Sequence, residues 1–371
     1  MIFLIALVLT GIFIFVCAKT LKQHPVPFYA GAVLIALTVI GCTAGNVIFP
    51  EWFRLWVWPL VSRGALATAL FAAVMYAGVL PNGSKGIKIL MPIRGELSIL
   101  ASILTLGHNG AYGRTYFRML FTNPDRLPAN QRAAAVCSLV MLVIMIPLFV
   151  TSFKCIRRKM KPAWWKKLQR FAYGFYALLY VHILLLTWPQ ALAGESGYVL
   201  NFLIYSIVFV GYGICRVLKA VSVKKKTQNT LMTKQIMALC CVTILSVCVT
   251  GGLLAAGYKN SHGKEENPNL SAAETDSTAE ETPFYRDGVY TGTGTGFEDF
   301  IRVQVTIENH QITEIKITES SEDEPYFSEG KGVIASILEK QSPEVDAISG
   351  ATYSSEGIKE AVRKALNSAI E

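Results

Sequence analysis

Two groups of residues in this chain of 371 have the types and spacing to do chemistry. The first is a pair of histidines, His108 and His182, each inside a long apolar run. An ionisable side chain at membrane depth is costly and points to function. Counted from the starts of their runs, near 95 and near 171, the two lie roughly 17–20 Å deep at 1.5 Å per residue. Two imidazoles at one depth on two helices can supply both axial ligands of a haem, and they can equally bond across helices as structural groups. The second group is the stretch DAISGATYSS, Asp346–Ser355, a loop of small and hydroxyl residues that runs into a helix. Thr352 falls at or just before that helix's N-terminus, where unpaired N–H groups and the helix dipole favour an anion. The loop can hold a phosphate, or it can end in an ordinary Ser/Thr cap. The remaining histidines, His24, His262 and His310, fall beside a membrane span, in a polar stretch and in a turn, where solvent suffices.

The elements that position these groups are mostly apolar. Hydrophobic residues make up 52 % of the chain and charged ones 16 %, where a soluble protein carries about 25 %. Eight candidate spans follow, roughly 1–18, 28–49, 60–80, 95–113, 133–153, 171–188, 198–215 and 235–257. The first lacks a basic segment ahead of its apolar core, so it is expected as a retained helix. The net charge of +9 sits in short loops between apolar runs, which makes it a topology signal; no nucleic-acid partner is expected. The eight cysteines lie in or beside the apolar runs with no CxxC pair, so iron–sulfur and zinc sites are not expected and buried small residues are.

Lys and Arg concentrate in the loops 154–170, 216–234, 82–94 and 19–27, which fall on one side if there are eight spans. That side is expected to be the cytoplasm, leaving both termini outside. The loop 114–132, with Arg114, Arg118, Arg126 and Arg132, opposes the trend. After the last span, residues 259–283 are rich in Ser, Thr and Glu and cannot bury a core; a flexible tether is expected. From 284 to 371 the pattern becomes that of a compact α+β domain. Ile301, Val303, Val305 and Ile307 alternate with polar residues as a half-buried strand, Asn309-His310 turns, and Ile312, Ile315 and Ile317 return. A final helix carries Ile358, Ala361, Val362, Ala365, Leu366 and Ala369 on one face. YTGTGTGFE invites a nucleotide-loop reading, but such a loop should follow a strand and open a helix, and this one opens a strand-rich hairpin.

From Asp287 to Ile370 the chain resembles the FMN-binding domain of the flavin-carrying subunits of sodium-pumping NADH:quinone reductases and Rnf-type complexes. DGVYTGTGTGF, the alternating strands and VDAISGATYSSEGIKEAV carry the likeness. The resemblance implies that a flavin transferase esterifies FMN through its phosphate to the hydroxyl of Thr352, with Asp346, Ser349, Gly350 and Ala351 as the recognised motif. Tyr353, Tyr326 and Phe327 are candidates to cover the flavin, or simply core aromatics. Residues 60–215 resemble the ferric-reductase-like transmembrane domain, through RGELSILASILTLGH ending in His108 and WKKLQRFAYGFYALLYVHILL ending in His182. That likeness implies a haem b with His108 and His182 as axial ligands to the iron. The family often shows a second His where this chain has Gln169, so a single haem is expected. Arg114 and Arg118 can then pair with haem propionates, or be solvated.

The expected protein is a polytopic α-helical membrane bundle, 1–258, followed by a linker, 259–283, and a small α+β FMN-binding domain, 284–371. Its expected role is a multi-pass flavocytochrome of the cytoplasmic membrane, relaying electrons from a quinol or a cytoplasmic reductase through haem b to a covalent FMN outside, for an extracytoplasmic acceptor. No NAD- or FAD-binding domain is visible, and no set of catalytic residues converges. Two alternatives stay open: an FMN-bearing sensor or assembly protein whose bundle is an anchor, and a terminal reductase of ferric iron or a small molecule.

Overall fold

The structure is a computed structural model that describes residues 2–45, 47, 49–192, 196–224, 230–262, 285–296, 300–320, 326–348 and 351–369. The chain divides into two compact units, residues 1–266 and 267–371.

The first unit is helical: α1 Ile2–Gln23, α2 Pro25–Ala44, α3 Glu51–Trp56, α4 Trp58–Ser62, α5 Ala65–Tyr76, α6 Lys85–His108, α7 Arg114–Thr122, α8 Ala129–Val150, α9 Lys154–Arg157, α10 Pro162–Gln169, α11 Phe171–Leu192, α12 Ser196–Lys224 and α13 Leu231–His262. Seven segments are long and apolar enough to span a bilayer, and eight when the bent pair 52–62 and 65–76 counts as one. Outward-facing Phe15, Leu34, Val143 and Leu245 are all exposed, as a lipid-facing surface requires, because tails solvate leucine as well as a core does. Inside, Leu70 and Phe71 of α5, Leu97 and Leu100 of α6, Met141 and Met145 of α8 and Phe175 of α11 form one buried cluster. Cys137 and Cys215 are buried, but Cys155, Cys240, Cys241 and Cys248 are exposed. The expectation of buried thiols therefore holds for only part of the set.

Several span boundaries differ from the sequence reading; α12, for one, runs on to Lys224, through residues read as the start of the basic loop 216–234. The run read as 95–113 begins at Lys85, because Ser84 caps the helix by accepting the Ile87 N–H at 3.3 Å and the helix passes through Pro92 without ending. It continues through a π-helical turn, Asn109–Gly113, into α7. The run read as 60–80 is broken near its start: the helical stretches 52–62 and 65–76 meet at 44° around Gly64, which adopts φ +74°. A left-handed backbone of that kind favours glycine. The last span extends to His262, so residues 259–262 of the expected tether are helical; the tether from 263 onward lies outside the described residues.

In the second unit β1 Gly288–Thr295, β2 Phe300–Glu308 and β3 Gln311–Ser320 form an antiparallel sheet in the order β1-β2-β3. Ile301, Val303, Val305 and Ile307 are all buried, as their alternation requires. Asn309 and His310 make the turn with positive φ. Asp287 clamps it, accepting the His310 N–H at 2.7 Å and the Asn309 N–H at 3.0 Å. His310 is not merely solvated, since its Nδ1–H donates to the Tyr285 carbonyl at 2.8 Å. Three helices follow, α14 Tyr326–Gly330, α15 Val333–Lys340 and α16 Thr352–Asn367. The expected apolar face of α16 is buried in the core with the inner face of the sheet.

The glycines of β1 explain that packing. A Cβ on Gly292 would stand 2.0 Å from the Ala361 carbonyl oxygen, and one on Gly294 2.0 Å from that of Gly357. The GTGTG stretch is thus a strand whose bare backbone lies against a helix lined by Gly357, Ala361 and Ala365, and this accounts for its glycines without a phosphate. Glu360 fastens the contact by accepting the Thr295 N–H at 2.8 Å while paired with Lys364 at 2.7 Å.

Candidate functional site

In the bundle, His108 is the last residue of α6 and His182 lies in α11. Because α6 starts earlier than the sequence suggested, counting residues from helix starts does not establish a common depth. The surroundings of the rings are more informative. His108 Nδ1 lies 2.7 Å from the Ser62 carbonyl, and His182 Nδ1 lies 3.0 Å from the Ala134 carbonyl. A carbonyl only accepts, so each Nδ1 carries the proton and each Nε2 presents its lone pair. That is the arrangement in which a backbone carbonyl orients a metal-ligating imidazole. Both rings are half-buried. Two imidazoles of this kind are donors of the type a haem iron would take.

The positioning of each ring can be traced to local structure. The break at Gly64 ends α4 and turns the Ser62 carbonyl toward His108; the Ser62 hydroxyl is held by Trp58 O at 2.8 Å. A Cβ on Gly64 would come within 3.6 Å of the His108 ring. Gly107 lets α6 meet α2, since its Cβ would be 2.8 Å from Ala36. His182 is aligned by the seam between α8 and α11, where Asn130 Nδ2 donates to Leu185 O at 3.2 Å and the Cys137 thiol to Leu178 O at 3.3 Å. Tyr112, in the π turn, places its ring 5.6 Å from that of His108. Ser62, Gly64, Ala134 and Tyr112 were not singled out from sequence. Gly64 had a signal, a glycine interrupting an apolar run; the backbone carbonyls had none.

Arg114 opens α7 directly after the π turn and is exposed, as is Arg118. Gln169, at the position where a second histidine was sought, donates to Thr151 Oγ1 at 3.4 Å beside Trp165, whose indole N–H reaches Thr151 O at 3.2 Å.

In the second unit Thr352 is the first residue of α16. The N-cap position belongs to Ala351, which makes no side-chain cap, so the simple Ser/Thr cap anticipated as one alternative does not occur there. Ser355 pins the approaching loop instead: its hydroxyl accepts the Ile348 N–H at 3.0 Å and donates to Ala351 O at 3.0 Å. Gly330 at the end of α14 packs against Ser354 and Ser355. Asp346 is exposed and Ala351 buried. Tyr353 is half-buried, and burial pushes its phenol up. Phe327 is a core residue with Lys331 over its ring at 4.4 Å. Ser349, Gly350 and the side chains of Tyr326 and Thr352 lie outside the described residues.

These two sites set the class. The ferric reductase like transmembrane component matches residues 63–180, and the FMN-binding domain matches 296–367. The protein is a multi-pass membrane protein that joins a ferric-reductase-like region to a C-terminal FMN-binding domain, the make-up of a membrane electron-transfer protein. The first match contains His108 and stops at residue 180, just short of His182; the second contains the whole Asp346–Thr352 motif. An uncharacterized protein of Treponema pallidum (strain Nichols) is 35 % identical over 369 residues, covering 96 % of this chain and 97 % of its own. The chain belongs to the family of that protein. No solved structure matches it.

Proposed function

We propose that the protein is a flavocytochrome of the cytoplasmic membrane, with haem b held by His108 and His182 and FMN esterified to Thr352 on the extracytoplasmic side. The observation that carries the reading is the pair of imidazoles, each with Nδ1–H on a backbone carbonyl and Nε2 left as a ligand. Bound haem supplies one-electron transfer at membrane depth, and bound FMN supplies two-electron chemistry whose electrons can be handed on singly. His108 and His182 fix the iron, and the Ser62 and Ala134 carbonyls fix their tautomers and ring planes. Arg114 offers a counter-charge to a propionate at the outer end of the α6–α7 rod. Thr352, led into α16 by the pinned loop, offers the hydroxyl that a flavin transferase would esterify, with Asp346, Ser349, Gly350 and Ala351 as its recognition motif.

The orientation rests on the Lys/Arg bias of the 154–170 and 216–234 loops. The donor is a membrane quinol or a cytoplasmic reductase, and the acceptor lies outside. Reduction of purified, flavinylated protein by quinol, followed through haem and flavin absorbance, tests the relay. Membranes with normal flavinylation and no haem absorbance would sink the cytochrome half and leave an anchored flavin protein.

A further inference from the structure

Among the described residues, the basic stretches at the ends of the spans leave one arginine with no carboxylate partner. Arg94 lies within α6 and is half-buried. The first 262 residues hold only four carboxylates: Glu51, Glu96, Asp125 and Glu195. Of the two whose side chains are described, Glu96 pairs with Lys154 at 2.7 Å and Asp125 with Arg132 at 3.4 Å. No described carboxylate is therefore left for Arg94. The charged side chain that acts on it is of its own sign, Arg157, and Arg94 and Arg216 both act on Tyr212. Arg157 is laid over the Trp165 ring at 4.6 Å and Arg216 over Tyr173 at 5.2 Å. By contrast Lys219, next to Arg216, already has partners, donating to Leu80 O at 2.7 Å and Gly78 O at 3.1 Å.

Three guanidinium groups, from α6, α9 and α12, are thus brought toward the first turn of α11: Ile93 of α6 packs in one cluster with Ala172 and Phe175 of α11, the Lys154–Glu96 pair ties α9 to α6, and Arg216 lies over Tyr173, with no unpaired described carboxylate among them. A half-buried guanidinium at a membrane boundary is stable only when something neutralises it. Two of the three are shelved on aromatic faces, which orients their donor edges in advance. We propose that Arg94, Arg157 and Arg216 form a headgroup site for an anionic phospholipid beside the first turn of α11. Guanidinium forks match phosphate oxygens, and basic pockets between membrane helices suit such headgroups. A lipid fits better than a soluble phosphate because the flanking surface is apolar and interfacial: Phe171, Tyr173 and Trp164 are exposed beside the cations.

The test uses the full chain in mixed micelles, with bound lipid counted by native mass spectrometry. Dioleoylphosphatidylglycerol, dioleoylphosphatidylcholine and inorganic phosphate are the three additions. The phosphatidylglycerol is expected to be retained and the phosphatidylcholine lost. Arg94→Gln and Arg216→Gln should each weaken phosphatidylglycerol retention about five- to tenfold, the effect of one cation at a membrane surface. Equal retention of the two lipids, or unchanged phosphatidylglycerol retention in both variants, overturns the site. Displacement of the lipid by inorganic phosphate at equal concentration overturns the lipid assignment. If Arg94→Gln does not accumulate, Arg216→Gln decides alone.

Discussion

At His108 and His182 the bond that sets each ring is made by Nδ1, the nitrogen opposite the one proposed to hold the iron. Each Nδ1–H is fixed to a carbonyl whose position depends on backbone geometry, so replacing a neighbour can disturb the ligand without touching it. His108→Ala or His182→Ala is expected to remove a low-spin b-type spectrum, while flavin fluorescence on a denaturing gel persists. Replacing His24, His262 or His310 should leave that spectrum intact. Gly64→Ala is the finer test. An alanine at φ +74° carries a strain of about 1–3 kcal/mol, and relief of it swings the Ser62 carbonyl away from His108. The expected result is a shifted haem midpoint potential and a partly high-spin spectrum with the protein still inserted; an unchanged spectrum would separate Ser62 from the ligand's orientation. Thr352→Ala is expected to abolish covalent flavin fluorescence, and retained fluorescence there would refute the ester.

Among the elements, the β1–α16 contact is the most sensitive to substitution. Gly292→Ala sets a methyl against a carbonyl oxygen that backbone geometry holds in place, so an overpacking cost of at least about 1–3 kcal/mol is expected in the unfolding of this unit. Thermal or urea melts of the full chain, read through flavin fluorescence, would measure it. The β2–β3 turn answers to pH. The His310 N–H, then the Asn309 N–H, hold the Asp287 carboxyl below its ordinary value of 3.8. A depressed carboxylate stabilises the fold above that value, and the contribution is lost as pH falls through the lower, folded one. Asp287→Asn should therefore lower stability at neutral pH, and its difference from the wild type should shrink in acid; a constant difference would refute the clamp. The alternating strand 301–307 and the apolar face of α16 were legible in the sequence, because side-chain periodicity alone decides which face is buried. The break at Gly64, the π turn and the start of α6 at Lys85 were not. They depend on backbone hydrogen bonds that apolar composition does not record, and Lys85, Lys88 and Pro92 read as loop. The glycines of β1 were visible but not their cause, which is a helix from the far end of the domain.

For the whole molecule, the proposed electron path requires that the two units lie in different compartments: bilayer and exterior. Ser261→Cys, in a background without competing thiols, is expected to react with an impermeant maleimide in intact cells; reaction only after permeabilisation would invert the topology. The docking of α16 on β1 has a further consequence, in the order of events. The strand's bare backbone has nothing to rest against until residues 357–365 arrive, so the sheet gains its cover only when the last helix of the unit seats. The same helix begins at Thr352. Seating it completes the core and sets the proposed acceptor backbone at the head of a formed helix in one step. Non-local closure of this kind is late and slow in a folding reaction. On that reading the acceptor's backbone reaches its helical setting only in a chain that has finished folding, and attachment of the proposed cofactor would mark, in each molecule, that the domain has closed.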